Sequence, residues 1–181
     1  MAQPNKMLEI YSKGSMHKSN SYGDYVVVEY INANNVIIMF TDTLFVRTTS
    51  TKSIKLGVVK DLMKPMIAGV GFIGQGGFKS KLNGKDSKPY SVWRGMIRRC
   101  YDSSARGYKF YGGLGVFVCD DWHNFQNFAS WYTENYKDVY VNYDLDKDIK
   151  SSGDKKYYSP ETCSLIPHKA NMEEIRNRVD V

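Results

Sequence analysis

The stretch that decides the fold of the C-terminal half is YDLDKDIKSSGDKKYYSPETCSLIPHKAN, residues Tyr143–Asn171. It opens with Tyr143–Ile149, in which apolar and acidic side chains alternate, and this alternation predicts a half-buried β-strand. The polar residues Lys150–Asp154 predict a turn. Tyr157 and Tyr158 then predict a second short strand, which would pair with the first.

The end of this stretch predicts a helix. Ser159–Glu161 reads as a turn, and Leu165 and Ile166 as the end of a buried strand. Pro167 suits the first position of a helix, because that position needs no amide hydrogen. Glu173, Glu174 and Arg176 would extend this helix. Two strands packed on one helix, a ββα unit, are therefore expected.

Three carboxylates lie at alternate positions of the first predicted strand: Asp144, Asp146 and Asp148. Alternate side chains of a strand point to one side, where like charges repel each other. This arrangement indicates either a bound cation or a salt-bridged surface that Lys155 or Lys156 neutralises. Both interpretations stay open from the residues alone.

The segments LDKDI, YSPETC, IP and the final Asn171 resemble the C-terminal block of phage-type HNH endonuclease-like proteins. Many members of that class also resemble AP2-type DNA-binding domains just upstream. Tyr111–Cys119, YGGLGVFVC, is similar to the Y-G-G-x-G-I-x-V-C segment of the same class. The resemblance covers residues 90–175, and the N-terminal part resembles the small β domain that often precedes it.

The resemblance implies a site that holds a divalent ion and activates water for phosphodiester hydrolysis. Asp146 occupies the place of the first His, the general base, Thr162 that of the Asn, and Asn171 that of the last His. The H-N-H motif therefore reads D-T-N here. Asp146, Asp148 and Asn171 become the expected ligands of Mg²⁺ or Mn²⁺, which prefer oxygen donors.

Loss of the first His leaves the general base in question. A carboxylate is a weak base at neutral pH. His168 is the nearby imidazole and is the second candidate for the catalytic base beside Asp146. The alternative for His168 is a solvent-facing side chain in a first helical turn.

The charge of the chain favours an anionic partner. Its 181 residues carry a formal net charge of +6, and the isoelectric point is about 9.1. Double-stranded DNA is the expected partner. The alternative is a mildly basic protein with no role in nucleic-acid binding.

Basic residues accompany a predicted helix that starts near Tyr90. Its apolar stripe at helical spacing consists of Trp93, Met96, Ile97, Cys100 and Tyr101. Arg94, Arg98 and Arg99 fall largely on other faces, and Lys109 follows in a loop. These four side chains are the expected phosphate contacts. An ordinary solvated helix face is the competing interpretation.

Three cysteines, Cys100, Cys119 and Cys163, are widely spaced and form no C-x-x-C pair. No zinc is therefore expected. A mixed site of Cys119, His123, Cys163 and His168 is a weaker alternative to buried thiols. Unpaired thiols, with no signal-peptide-like or membrane-spanning run, predict a cytoplasmic protein with no membrane partner.

The whole chain is expected to have an α+β fold with a β-barrel-like N-terminal module. Four segments are predicted: a leader at 1–21, a small β module at 22–66, a Gly-rich and basic linker at 67–89, and an α+β domain at 90–181. The β module would contain strands at 25–31, 36–40, 44–48 and 54–58. Gly69–Gly74 matches G-x-G-x-x-G, but it lacks the strand and helix that a dinucleotide site requires.

Three functions remain open from the sequence. The first is a metal-dependent DNA endonuclease of the HNH-like type. The second is a DNA-binding protein on the same scaffold that does not cut. The third is a protein that binds a host factor through the β module.

Overall fold

The computed structural model describes residues 9–138, 141–147 and 157–172. The fold is α+β, as predicted from the sequence. The chain divides into two compact units, Met1–Lys64 and Pro65–Val181. The boundary lies at the Lys64–Pro65 step, close to the predicted end of the β module.

The N-terminal unit is a four-stranded antiparallel sheet in the order β1-β2-β3-β4, followed by the short helix α1. The elements are β1 (Met16–Ser19), β2 (Gly23–Asn32), β3 (Asn35–Phe40), β4 (Val46–Thr49) and α1 (Thr51–Lys55). The hairpin between β2 and β3 turns at Asn32, whose Oδ1 accepts a hydrogen bond from the amide of Asn34 at 3.0 Å. The sheet is not closed, so the expectation of a barrel is wrong.

The fourth predicted strand, at 54–58, is also wrong. Ser50 caps a helix here, because its Oγ accepts a hydrogen bond from the amide of Ser53 at 3.2 Å. Ile54 is buried, whereas Leu56 and Val58 are 55% and 54% exposed, so the alternation does not mark one buried face.

The sheet has one strand that was not predicted. This strand is β1, which lies inside the predicted leader. It is a polar edge strand, Met-His-Lys-Ser, whose one buried residue is Ser19. The Ser19 Oγ donates to the carbonyl of Val59 at 2.7 Å. An edge strand held mainly by backbone pairing gives no apolar pattern, and the sequence therefore did not reveal it.

The C-terminal unit is built on two helices, α2 (Lys88–Tyr101) and α3 (Phe125–Asn135). Its strands are β5 (Lys81–Leu82), β6 (Lys85–Asp86), β7 (Phe117–Val118), β8 (Tyr143–Asp146), β9 (Tyr157–Tyr158) and β10 (Ser164–Pro167). Three short 3₁₀ helices occupy Tyr108–Phe110, Gly112–Leu114 and Asp120–His123. Residues 168–172 are helical.

The helical stripe predicted from apolar spacing near Tyr90 is confirmed. Helix α2 begins after its cap Ser87 and buries one face, made of Tyr90, Trp93, Met96, Ile97 and Cys100. Helix α3 buries Phe125, Gln126, Phe128, Ala129 and Tyr132. Its cap is Asn124, which follows the 3₁₀ helix Asp120–His123. The two stripes meet in the main core of the unit.

The Gly-rich segment packs closely against α3, as expected for a linker of this kind. The buried Gln126 donates from Nε2 to the carbonyls of Ile73 and Phe78 at 3.2 and 3.0 Å. Its Oε1 accepts from the amide of Phe78 at 2.9 Å. Gly76 lies against Gln126, where a Cβ would clash with the amide group. These contacts fix residues 73–78 to the helix.

The strand pairing at the C-terminus differs from the prediction. Tyr157 and Tyr158 do not pair with the strand that starts at Tyr143 but run parallel to Phe117–Val118. Strand β8 pairs antiparallel with β10 instead. The cause is the burial of Tyr158, whose side chain is 1% exposed in the core beneath β7. Helical conformation begins at residue 168, one residue after the predicted Pro167.

Candidate functional site

Three polar side chains meet beside β8, at the point where β10 leads into the helical residues 168–172. Asp144 Oδ2 lies 2.8 Å from His168 Nδ1 and accepts a hydrogen bond from Asn171 Nδ2 at 2.9 Å. The amide of His168 donates to the carbonyl of Asn142 at 2.8 Å, which holds the start of the helical turn beside the start of β8. His168 and Asn171 lie one turn apart and therefore reach the same carboxylate.

The carboxylate of Asp144 is held in its charged form. Burial raises its pKa, but the hydrogen bonds from Asn171 and His168 outweigh this effect, and the charges of His168 and Lys88 act in the same direction. The pKa of Asp144 therefore lies below its usual range. In the tautomer that carries its proton on Nδ1, His168 donates to Asp144 and leaves Nε2 as an acceptor.

This cluster, called here the Asp144 site, opens into a groove between β8 and α2. The groove has a volume of about 290 Å³, and its lining includes Lys88, Arg99, Tyr111, Asp144 and Asn171. The charge of Lys88 lowers the pKa of Asp144, and Arg99 adds a second cation to the lining of the groove. The groove therefore combines positive charge with the carboxylate of Asp144, which in turn contacts His168.

A second groove, called here the arginine groove, lies between α2 and the loop after it. Its volume is about 350 Å³, and four arginines line it: Arg94, Arg98, Arg99 and Arg106. Ser91, Gly95 and Arg99 line both grooves. The two grooves are therefore neighbouring parts of one face of α2, and Arg99 belongs to both.

The arginines of this face are held by short contacts. Arg94 Nη1 lies 2.8 Å from Asp86, and Arg98 Nη2 lies 2.8 Å from Asp102. The guanidinium carbon of Arg99 lies 5.1 Å from the centre of the Tyr111 ring and 5.9 Å from that of Tyr158. These arginines are thus positioned side chains rather than freely moving ones.

The structure brings together three of the four residues predicted to contact phosphate. Arg94, Arg98 and Arg99 line the arginine groove. Lys109 is not among its lining residues, and its ammonium lies 4.7 Å from the centre of the Phe110 ring. Arg106, which lies in the loop after α2, lines the groove together with the three helical arginines.

The predicted metal and base residues are rearranged. Asn171 faces Asp144, not Asp146, which pairs across the sheet with Ser164. Asp148 lies outside the described residues. Thr162, in the place of the family's Asn, is buried and donates to the carbonyl of Tyr157 at 2.8 Å, so it shapes a turn. The side chain of His168 is 57% exposed, but it also contacts the carboxylate of Asp144. It is therefore more than a solvent-facing histidine.

The donor set of the Asp144 site suits a hard divalent cation. The hydrogen bonds from His168 and Asn171 both end on Oδ2 of Asp144, so within the described residues Oδ1 can serve a ligand. The amide oxygen of Asn171 is a second donor of the same kind. Mg²⁺ commonly takes one or two carboxylates and keeps several waters, which fits such a small set. No cluster of three or more His, Cys, Asp or Glu side chains occurs among residues 9–138, 141–147 and 157–172.

The alternative zinc set is divided between separate places. His123 Nε2 lies 3.1 Å from the Tyr101 hydroxyl, while His168 contacts Asp144. Burial raises the pKa of the Cys163 thiol to about 11. Cys163 and the partly buried Cys119 therefore fit the interpretation as packed thiols.

Asp144 and Arg106 were missed as site residues for different reasons. The sequence showed Asp144 as one of three alternating acids, but the motif assigned the key position to Asp146. Only the register between β8 and β10, which sets Asp144 opposite Ile166, decides which acid meets the helix. Arg106 gave no signal beyond its charge.

Comparison with protein-family models, with curated proteins and with solved structures finds no match. Within the described part of the chain, every helix is too short or too polar to span a bilayer.

Proposed function

We propose that the C-terminal unit binds DNA and hydrolyses a phosphodiester bond at the Asp144 site. The observation that carries the proposal is the contact of His168 with Asp144, a carboxylate that lines a groove next to the arginine groove. A carboxylate at Nδ1 of an imidazole fixes the tautomer and raises its ability to take a proton at Nε2. The arginine groove beside it supplies donors that match phosphate oxygens.

In the proposed reaction, His168 Nε2 takes the proton from a water that attacks phosphorus. Asp144 stabilises the imidazolium that forms, as the acid of a catalytic triad does. The bond from phosphorus to the leaving sugar oxygen breaks, and that oxygen takes a proton from solvent. Arg99 and Lys88 offset the negative charge that develops on the phosphoryl oxygens.

A Mg²⁺ or Mn²⁺ ion is part of this proposal. Asp144 and Asn171 would hold it, and when bound it supplies further stabilisation of the leaving oxygen. The proposal moves two roles from the residues first predicted. Asp144 replaces Asp146 as the metal-facing acid, and His168 alone is the base. The strand pair β8–β10 and the helical residues 168–172 then correspond to the ββα unit.

The direct test is incubation of the purified chain with supercoiled plasmid in Mg²⁺, Mn²⁺ or EDTA. Conversion to nicked circles with the metals, and loss of this conversion in His168→Ala, is the expected result. The matched control is His17→Ala, which removes an imidazole from the N-terminal unit and should nick at the parental rate. Equal nicking by His168→Ala and the parent would refute the role of His168.

The second candidate is a DNA-binding protein on the same scaffold that does not cut. The Asp-for-His replacement at position 146 favours it, because the family's usual base is missing there. Retained DNA binding with no nicking under any metal condition would establish it. Binding of a host protein by the N-terminal sheet stays a prediction.

A further inference from the structure

We infer that the arginine groove is a subsite for the terminal phosphate monoester of a DNA strand. This inference rests on the proposed function, since hydrolysis of a phosphodiester leaves such a group on one product strand. It goes further by naming the part of the substrate that the groove takes. An internal phosphate of a duplex would contact a basic surface without needing a concave site.

The charge of the groove matches a phosphate dianion. Four arginines line it, and two of them are paired with Asp86 and Asp102. Two positive charges therefore remain uncompensated by these carboxylates. A phosphate monoester carries about two negative charges at neutral pH, as in a phosphorylated side chain. An internal phosphodiester carries one, so the terminal group is the better match.

The shape of the groove fits a small anion with its sugar. The volume of about 350 Å³ lies at the small end of ligand sites, which span roughly 300–1,000 Å³. One wall is α2, and the other is the loop Ser104–Gly107. Asp102 fixes this loop, because its Oδ1 accepts from the amide and the hydroxyl of Ser104 at 3.0 and 2.6 Å. The concavity is thus part of the folded unit.

Gly107 leaves space for the side chain of Arg99, and both residues line the groove. A Cβ on Gly107 would lie 3.1 Å from Arg99 Cγ and 3.2 Å from Cδ, which is too close without a shift of the side chain. A Cβ on Gly77, which does not line the groove, would meet nothing within 4 Å. Gly107 has φ −85°, so alanine is allowed by its backbone. Gly107→Ala therefore shifts the Arg99 side chain by a few tenths of an ångström without changing charge, and Gly77→Ala is its control.

The test is fluorescence anisotropy with one hairpin duplex in three forms: 5′-phosphate, 3′-phosphate, and hydroxyl at both ends. EDTA is present throughout to prevent cleavage. One of the phosphorylated forms should bind about tenfold tighter than the hydroxyl form, since a terminal dianion gains charge-assisted hydrogen bonds. Equal affinity of all three forms for the parent chain would overturn the inference.

The variants distinguish a specific phosphate-binding subsite from nonspecific electrostatic attraction of DNA. Arg106→Ala and Gly107→Ala should reduce the preference to about twofold or less, whereas Lys109→Ala and Gly77→Ala should keep it. Circular dichroism confirms that each variant is folded. Equal losses in Arg106→Ala and Lys109→Ala would also overturn the inference, because nonspecific charge would then explain them.

Three further results distinguish the sources of the phosphate and the two proposals. A deoxynucleoside monophosphate that binds as tightly as the phosphorylated hairpin would show a free-nucleotide site and refute the inference. Plasmid nicking without any end preference would remove the subsite and leave the hydrolysis proposal standing. End preference without nicking would support the subsite and remove the hydrolysis proposal.

Discussion

Arg99 donates from Nη2 to the hydroxyl of Tyr158 at 3.3 Å, although the two residues are 59 positions apart in the chain. Burial raises the pKa of Tyr158, and the charge of Arg99 only partly opposes this effect. The contact ties α2 to β9 and fixes one side of the guanidinium that both grooves share. The arginine is therefore part of the core as well as of the site.

Tyr158→Phe should lower the free energy of unfolding of the C-terminal unit by about 0.5–1.5 kcal/mol, the net value of one hydrogen bond. Urea unfolding followed by tryptophan fluorescence measures it, because all three tryptophans lie in this unit: Trp93, Trp122 and Trp131. Tyr157→Phe is the control, since its half-buried ring stacks on Phe117 outside this contact. An unchanged midpoint in Tyr158→Phe, or an equal loss in both variants, would contradict the account.

Gln126→Ala should destabilise the C-terminal unit more strongly. The substitution leaves the carbonyls of Ile73 and Phe78 and the amide of Phe78 without their side-chain partner. Each buried group left unsatisfied costs about 1–3 kcal/mol where water cannot replace the partner. A loss of about 2–3 kcal/mol in the same fluorescence experiment is expected, and a loss below 0.5 kcal/mol would mean that the Gly-rich segment is not held by this side chain.

The lowered pKa of Asp144 predicts a pH dependence of stability. Because the folded-state pKa lies below the ordinary value, Asp144 contributes stability above about pH 4, where the unfolded carboxyl is ionised. That contribution falls as the pH drops through the folded-state pKa. The difference in unfolding free energy between the parent and Asp144→Asn should therefore shrink from pH 5 downward. A difference that stays constant or grows as the pH falls would show that the carboxylate is not stabilised by His168 and Asn171.

DNA binding should depend on the arginine face and on salt. Replacing Arg94, Arg98 and Arg99 by alanine should weaken binding to all duplex sequences. The slope of the logarithm of the binding constant against the logarithm of the salt concentration should become less steep by up to about 2.7, since each phosphate contact adds about 0.9 to its magnitude. The control removes three exposed charges from the N-terminal unit: Lys52, Lys55 and Lys60. An identical slope in the arginine variant and the parent would remove this face from the model.

Elements with strong local periodicity could be predicted from the sequence. The stripe Trp93, Met96, Ile97 and Cys100 defined α2 because a helix is a local structure whose buried face repeats every 3.6 residues. The hairpin at Asn32–Asn35 followed from turn chemistry in the same way.

The features that were predicted wrongly depend on contacts between distant parts of the chain. Tyr158 pairs with Val118 because its ring fills the core, and nothing near Tyr158 in the sequence indicates this parallel partner. The choice of Asp144 over Asp146 likewise depends on the register with β10. A one-residue error in register reverses which side chains share a face, and alternating acids cannot resolve it.

The central claim is that His168, held by Asp144, takes a proton during phosphodiester hydrolysis. Its most direct measurement is the plasmid-nicking rate of His168→Gly with and without added imidazole, at saturating protein. The account predicts a rate about 10²–10⁴-fold below the parent, the usual effect of losing a general base, and partial recovery with imidazole. Nicking by His168→Gly at the parental rate, or a loss that imidazole does not restore while DNA binding is intact, would contradict it.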